Sequence, residues 1–448
     1  MVKRKENKIN IFEVPFAVGA INENITISIN SHFPQSKEGL LKKAFMFHSK
    51  GNIAEASRYY QVFIDNGYED ERVFTNYATI LNNQSQFENA EVFTRKAIKL
   101  RPDLPEAHSN LGNILRKLGK LKEAKISVLK SLEIKPNYAQ AHNNLGTILK
   151  ELNKFSEAEI SFRKAIEIKS DFAEAYNNLG NILKDLSKLQ EAEISFRKAI
   201  EIEPNIHEPY NNLGSTLKDL GKFKEAELSI CKAIKIKPDF ASAYLNLSHL
   251  KLLQGDYKEG LEYYEYRSEL TPVHATPKIK KADINKLRKE DKVLIITEQG
   301  LGDTLQYMRY IPVLRSSGFD VSLCAQKKLH SLIKASHIHS NPLTPEQANN
   351  LLDGNWIRLI SLAKYLKVNP INPIVSQPYI FTSKELISKW KNILSNEGKP
   401  IVAINWQGNK NIENNYSGRS LALENFSKIA ELNEIKLLSL QKGFGSEQ

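Results

Sequence analysis

A motif of 34 residues recurs along the middle of the chain and constrains its fold more than any other feature. The segments NNLGTILKELNKFSEAEISFRKAIEIKSDF, NNLGNILKDLSKLQEAEISFRKAIEIEPNI and NNLGSTLKDLGKFKEAELSICKAIKIKPDF begin at Asn143, Asn177 and Asn211. The residues that keep this period are Gly112, Gly146, Gly180 and Gly214, then Ala124, Ala158, Ala192 and Ala226, then Pro102, Pro136, Pro204 and Pro238, with Ser170 replacing proline once. A fixed period of this length indicates supersecondary units that stack on one another.

The motif resembles the tetratricopeptide repeat (TPR), in which each unit is a pair of antiparallel helices. Leu111, Gly112 and Leu115 lie at helical spacing on one face of a first helix. The small residues Gly112 and Ala124 would let the two helices approach closely, and the proline position marks where the second helix has ended. One pair cannot bury its apolar face alone. The resemblance therefore implies a solenoid, and weaker copies extend it to about seven units over residues 37–270.

Asparagine recurs at one position of the predicted first helix, although it is a mediocre residue for a helix interior. Its amide carries a donor and an acceptor, which could clamp the main chain of an extended peptide. The repeats resemble the TPR half of the O-linked N-acetylglucosamine transferases, in which an asparagine ladder holds substrate peptide. The alternative is that duplication of one unit copied the asparagines, which then face water or bond a neighbouring turn. The resemblance implies a protein or peptide partner in a groove lined by Asn76, Asn110, Asn144, Asn178, Asn212 and Asn246.

Beyond a basic linker at 271–291, strands alternate with helices, which predicts βαβ units and a parallel sheet. KVLIIT (292–297) reads as a buried strand, and KPIVAINWQGN (399–409) restarts the pattern. We therefore predict a first α/β domain at 292–390 and a second module at 391–448. The second module is shorter than a mononucleotide-binding half with its covering helices. The predicted fold class is an α-solenoid of TPR helix pairs followed by a Rossmann-like α/β region whose second module is incomplete.

The loop TEQGLGDTLQ, from Thr297, joins the first predicted strand to a helix. It lacks the Gly-Lys-Ser/Thr of a phosphate-binding P-loop, and Leu305 occupies the third glycine position of a dinucleotide fingerprint. The start of a helix there favours an anionic or polar ligand. Gly300 and Gly302 are otherwise expected to permit a tight turn between strand and helix.

The segment QGLGDTLQYMRYIPVL resembles the first loop of inverting GT-B glycosyltransferases related to the lipopolysaccharide heptosyltransferases. The resemblance implies that Asp303 is the base that deprotonates an acceptor hydroxyl, and Glu298 is a secondary candidate. The structural alternatives are a helix N-cap for Asp303 and a solvated acid at a strand end for Glu298.

The later segments GRSLALENF and LSLQKG resemble the start of the donor-binding domain in the same family. The resemblance implies that Arg419 and Lys442, together with Gly300 and Gly302, contact the donor diphosphate. It implies a nucleotide-sugar as substrate, a glycan or protein acceptor, and neither a metal nor another cofactor. The alternative function is a non-catalytic TPR scaffold whose C-terminal part is a remnant.

The remaining features limit which partners and which cellular compartment the sequence predicts. The net charge of +12 lies partly in 277–292, without the aromatic-interleaved basic stripe of nucleic-acid readers, so we expect no nucleic-acid partner. The sequence has no apolar run long enough for a transmembrane helix. Glu13 and Pro15 interrupt the apolar start, which favours an extended or partly disordered leader at 1–36 over a signal peptide. Cys231 and Cys324 show no metal or disulfide spacing, which favours a reducing, cytoplasmic location.

Overall fold

The computed structural model describes residues 36–282, 286–298, 300–374, 377–395, 398–404, 429 and 436–439. The chain divides into two compact units, one ending at Pro204 and the other beginning at Asn205. The candidate donor residues Arg419 and Lys442 lie outside the described residues, as does the leader up to residue 35.

Among its described residues, the first unit contains five helix pairs. In each pair the second helix follows the first after a short turn, and the two helices pack against each other. The pairs are α1 (Lys37–Ser49) with α2 (Ile53–Asp65), α3 (Glu71–Asn83) with α4 (Phe87–Leu100), α5 (Pro105–Lys117) with α6 (Leu121–Ile134), α7 (Ala139–Glu151) with α8 (Phe155–Ile168), and α9 (Ala173–Asp185) with α10 (Leu189–Ile202).

The recurring glycines bring the two helices of a pair together. A Cβ atom added at Gly180 would lie 2.6 Å from a ring carbon of Phe196, and one at Gly112 would lie 3.1 Å from the carbonyl oxygen of Ala124. Phe196 is fully buried. The close approach predicted for Gly112 and Ala124 is therefore confirmed.

The second unit begins with two further helix pairs and continues into a parallel sheet. The pairs are α11 (His207–Asp219) with α12 (Phe223–Ile236) and α13 (Ala241–Leu253) with α14 (Tyr257–Tyr264). A 3-10 turn, Glu265–Glu269, follows α14. The sheet strands are β1 (Lys280–Lys281), β2 (Lys292–Ile296), β3 (Asp320–Cys324) and β4 (Asn355–Arg358), in the order β1-β4-β2-β3.

All neighbouring strands of this sheet are parallel, as the sequence predicts. Ile295 and Ile296 of β2 are fully buried, because both faces of a parallel sheet are covered. The predicted linker is too long, since β1 lies within it and Ala275 is buried beside the sheet. The helices that follow the strands are α15 (Leu301–Tyr307), α16 (Ile311–Ser316), α17 (His330–Ala335), α18 (Pro345–Asn349) and α19 (Leu362–Tyr365).

The predicted second module is described only in part. It comprises α20 (Lys384–Leu394) and two parallel strands, β5 (Ile401–Ile404) and β6 (Lys436–Ser439). No residue of α20 is buried, and the side chain of Trp390 is about half exposed. A small parallel sheet is thus present, and a Rossmann-like GT-B fold remains a prediction. Among the described helices, none combines the length and apolar character that crossing a membrane requires.

Candidate functional site

The asparagine ladder lies on the first helices of successive pairs, but its first member is not on the surface. Asn76 is fully buried, and its Nδ2 donates to the hydroxyl of Tyr60 at 3.3 Å. Tyr60 also lies 2.9 Å from Nδ1 of His48. Asn76 therefore belongs to a buried polar chain between α1, α2 and α3, and its predicted role in a peptide groove needs correction.

The next asparagines use their amide hydrogens to join one repeat to the preceding one. Nδ2 of Asn144 donates to Oγ of Ser109 at 3.0 Å, and Nδ2 of Asn178 donates to Oδ1 of Asn143, also at 3.0 Å. Asn143 is held in turn, because its own Nδ2 donates to Glu174 at 2.9 Å. These bonds run between first helices, so a bond to a neighbouring turn is the wrong alternative for these positions.

The same arrangement occurs at two other members. In the first unit, Nδ2 of Asn110 donates to Oγ1 of Thr79 at 3.4 Å. In the second unit, Nδ2 of Asn246 donates to Oδ1 of Asn211 at 2.8 Å. Asn212 is partly buried and has a polar contact of its own. For Asn144, Asn178 and Asn246 the residue that receives the bond directly precedes the ladder position in its own repeat, as the recurring NNLG could have indicated, whereas Thr79 lies three residues after Asn76.

The carbonyl oxygen remains open in three of the ladder amides. Within the described ranges, Oδ1 of Asn110, Asn178 and Asn246 accepts no hydrogen bond. None of these three oxygens is among the fully buried side-chain atoms that lack a partner. Oδ1 of Asn144 accepts a bond from Gln140 at 3.3 Å. The ladder thus offers acceptors that are oriented by the bonds on the donor side of each amide.

A second row of residues on the first helices is charged, and its members form ion pairs from one repeat to the next. Arg116 pairs with Glu151 of the next repeat at 2.5 Å, and Lys150 pairs with Asp185 at 3.4 Å. These acids lie seven residues after the ladder position. The first-helix face therefore presents amide acceptors beside paired charges rather than a field of one sign.

The structural alternative for Glu298, a solvated acid at a strand end, is wrong. Its side chain is 4% exposed, and its two carboxylate oxygens bind the guanidinium of Arg267 at 3.0 and 3.2 Å. Arg358 of β4 donates to the same carboxylate at 3.2 Å. Burial opposes the charge on Arg267, but the carboxylates of Glu298 and Glu265 outweigh it and raise the pKa of the Arg267 guanidinium.

This buried cluster joins the segment after the last helix pair to the sheet. Arg267 lies in the 3-10 turn after α14, whereas Glu298 and Arg358 follow or end strands of the sheet. Ser361 adds a bond from its hydroxyl to Glu265 at 2.9 Å. Both guanidinium groups bind the buried Glu298 carboxylate. Arg267 and Arg358 were not predicted from the sequence, although the arginine inside the apolar stretch WIRLI could have indicated a buried charge.

Asp303 is exposed in the first turn of α15, after the carboxyl end of β2. The N-cap of this helix is Gly300, so the alternative role of Asp303 as N-cap is wrong. Gly300 lacks a positive φ, and a side chain there would collide with the carboxylate of Asp303. A side chain at Gly302 would meet open space. A side chain at position 300 would therefore have to displace the exposed carboxylate of Asp303.

Neither cysteine is paired in a disulfide. Cys231 is exposed and Cys324 is buried at the end of β3, where burial raises the pKa of its thiol to about 11. No group of histidine, cysteine and acidic side chains among the described residues could hold a metal ion.

Comparison with known proteins identifies the repeats. Tetratricopeptide-repeat models match residues 103–171, 173–206, 207–240 and 241–265. No curated protein matches the chain.

The chain is similar to several solved structures, and each match extends over almost the whole length of the solved protein. PilF of Pseudomonas aeruginosa is 19% identical, with 45% of this chain and 91% of that chain covered and a TM-score of 0.41. A tetratricopeptide repeat protein from Parabacteroides merdae is 20% identical, with coverage of 52% and 93% and a TM-score of 0.43. YrrB, described as a TPR protein with an unusual peptide-binding site, is 27% identical, with coverage of 42% and 97% and a TM-score of 0.33.

Tetratricopeptide repeats generally bind protein or peptide partners, and their presence supports a protein-binding scaffold function. Residues 103–265 of this chain are tetratricopeptide repeats.

Proposed function

We propose that this protein is a scaffold that captures an extended peptide on the first-helix face of its repeats. One observation carries the proposal: the amides of Asn110 and Asn178 are oriented by bonds to the preceding repeat while their Oδ1 atoms stay open. An open carbonyl oxygen accepts a hydrogen bond from any main-chain N–H. The face would therefore hold peptides with little regard to their sequence.

The spacing of the repeats suits an extended chain. Packed helices lie about 8–10 Å apart, and an extended peptide advances about 3.3 Å per residue. One ladder oxygen would then meet every third residue or so of the bound peptide. Each of these amides uses one N–H in the bond to the preceding repeat, so Oδ1 would accept from the peptide and the second N–H would be free to donate to it.

The test is the affinity of an unstructured peptide for variants of the full chain. A peptide selected from a random library on the wild-type protein is labelled, and its binding is followed by fluorescence anisotropy. Asn110→Ala combined with Asn178→Ala should weaken binding about threefold to tenfold per lost hydrogen bond. The matched control is Asn89→Ala, an exposed asparagine on a second helix. Equal affinity of the double variant and the control, at unchanged helicity, would refute the ladder as the binding site.

A second candidate function, transfer of a sugar from a nucleotide donor, is favoured by the position of Asp303. Ligands of open parallel sheets bind at the carboxyl ends of the strands, and Asp303 is an exposed carboxylate directly beyond that end of β2. A carboxylate there could take the proton of an acceptor hydroxyl. The proposal still depends on Arg419 and Lys442, which lie outside the described residues.

Calorimetry with a panel of uridine, guanosine and adenosine diphosphate sugars tests this second function. If it is correct, one donor binds, and Asp303→Asn abolishes turnover while leaving donor binding unchanged. Absence of binding heat with every donor, for a folded sample that still binds peptide, would leave the scaffold function alone.

A further inference from the structure

The second helices of the first unit carry a row of exposed aliphatic side chains. Val92, Ile126, Ile160 and Ile194 occupy the same repeat position on α4, α6, α8 and α10, and they are 51%, 69%, 69% and 67% exposed. Single exposed apolar residues are ordinary on protein surfaces. Four at a fixed period on neighbouring repeats form a stripe, which we call the outer stripe.

An apolar cleft continues the outer stripe between two of these helices. A cavity of about 570 Å³ opens between α8 and α10, and Leu179, Leu183 and Tyr176 of α9 line it. Ile194, which is largely exposed, contributes to the same lining. The surface therefore carries an apolar ridge on each of these helices and one cleft, between α8 and α10, whose lining also includes the charged residues Arg163, Glu167 and Glu191.

Charges flank the outer stripe in a fixed order on α6, α8 and α10, whereas α4 has Asn89 in place of the acid. On these three helices a glutamate lies three residues before the isoleucine and a lysine lies four residues after it, and a further glutamate pairs with each lysine from three residues beyond. These spacings keep the first glutamate, the isoleucine and the lysine on one face of the helix. The residues are Glu123, Ile126 and Lys130 on α6, Glu157, Ile160 and Lys164 on α8, and Glu191, Ile194 and Lys198 on α10.

This order is self-complementary for helices that pair face to face in opposite directions. In such a pair, each isoleucine meets an isoleucine and each glutamate meets a lysine. Pairing in the same direction would place glutamate over glutamate and lysine over lysine, which is repulsive. A twofold axis running along the stripe produces the favourable arrangement on all three helices at once, as an isologous interface requires.

We propose that the outer stripe binds a second copy of this chain, with α6, α8 and α10 of each copy antiparallel to those of the other. A second copy has its isoleucines at the same repeat spacing, so the apolar ridges of the two copies can meet along the whole stripe. The flanking charges already form exposed ion pairs, for example Lys164 with Glu167 at 2.8 Å and Arg163 with Glu191 at 2.7 Å. Exchange of such exposed pairs costs little.

Sedimentation velocity of the full chain across micromolar concentrations tests the stripe. The wild-type protein should form dimers, and the triple variant Ile126→Ser, Ile160→Ser, Ile194→Ser should raise the dimer dissociation constant roughly a hundredfold or more. The matched control replaces two strongly exposed apolar residues of the second unit, Leu352→Ser and Ile371→Ser, which are 85% and 97% exposed. A monomeric wild-type protein, or an equal loss of dimer in the control, would overturn the proposal.

Charge exchange tests the role of the flanking charges even if the serine variant folds poorly. One variant carries Glu123→Lys, Glu157→Lys and Glu191→Lys, and the other carries Lys130→Glu, Lys164→Glu and Lys198→Glu. Each variant alone should remain monomeric, because its flanks become like-charged, whereas an equimolar mixture should restore the dimer. Failure of the mixture to associate more tightly than either variant alone would contradict the proposed pairing.

Discussion

At Gly180 the absence of a side chain lets α9 lie against the buried ring of Phe196. A Cβ atom there would approach ring carbons at 2.6–2.8 Å, so Gly180→Ala must displace the ring or the helix. We expect a loss of about 1–3 kcal/mol in the free energy of unfolding, measured by urea denaturation with circular dichroism. Phe196→Leu in the same chain should recover part of that loss. Additive effects of the two substitutions would contradict the close contact.

A buried histidine makes the first repeats sensitive to acid. Burial lowers the pKa of His48 from its ordinary value of 6.5, so the unfolded chain binds this proton more readily than the folded chain. The stability associated with neutral His48 is therefore complete above pH 6.5 and is lost as the pH falls toward the lower folded value. The loss is at most about 1.4 kcal/mol per pH unit for one group.

His48→Gln keeps a hydrogen-bonding side chain next to Tyr60 but cannot be protonated in this range. The melting temperature of the variant should therefore fall less between pH 7.5 and pH 5.5 than that of the wild type, by circular dichroism. An identical pH dependence of the two proteins would show that His48 is not the responsible group.

The sequence predicted which residues form the ladder, but not how their amides are used. The position of Asn178 follows from the repeat period, whereas its bond to Asn143 depends on how far one repeat is offset from the next. The burial of Glu298 could not be predicted from its neighbours in the sequence either. It depends on Arg267 and Arg358, which lie 31 and 60 residues away in the sequence.

Among the elements, the turn after α14 and the strands β2 and β4 are connected by the buried cluster around Glu298. Glu298→Gln would leave Arg267 and Arg358 with too little negative charge, which typically costs about 3–5 kcal/mol when one partner of a buried pair is removed. All three tryptophans, Trp356, Trp390 and Trp406, lie in the C-terminal part of the chain. Tryptophan fluorescence during urea denaturation should therefore report this loss.

An exposed ion pair between the neighbouring helices α14 and α19 provides the control. Lys364 and Glu262 are 2.8 Å apart, and the side chain of Glu262 is 63% exposed. Glu262→Gln should change the free energy of unfolding by less than about 1 kcal/mol. Equal effects of the two substitutions would show that the buried cluster does not hold the turn after α14 and the strands together.

Prediction from sequence was most successful where an element repeats and least successful where it is short. The 34-residue period predicts each helix pair because apolar and small residues recur in phase. β1 was missed because two residues cannot show strand alternation, and because Lys280 pairs with Asn355, far along the chain. α20 has an amphipathic pattern, yet its apolar face is exposed, which no pattern within the helix could reveal.

For the whole molecule, the proposed capture of a peptide depends on open amide oxygens that accept hydrogen bonds from its main-chain N–H groups. The most direct measurement compares one bound peptide with the same peptide methylated on alternate backbone nitrogens, which removes donors without changing any residue of the protein. If the methyl groups fall on the nitrogens that face Asn110 and Asn178, affinity should drop at least about tenfold, whereas methylation of the intervening nitrogens should have a smaller effect. Equal affinity of the unmethylated peptide and both methylated peptides would contradict the account.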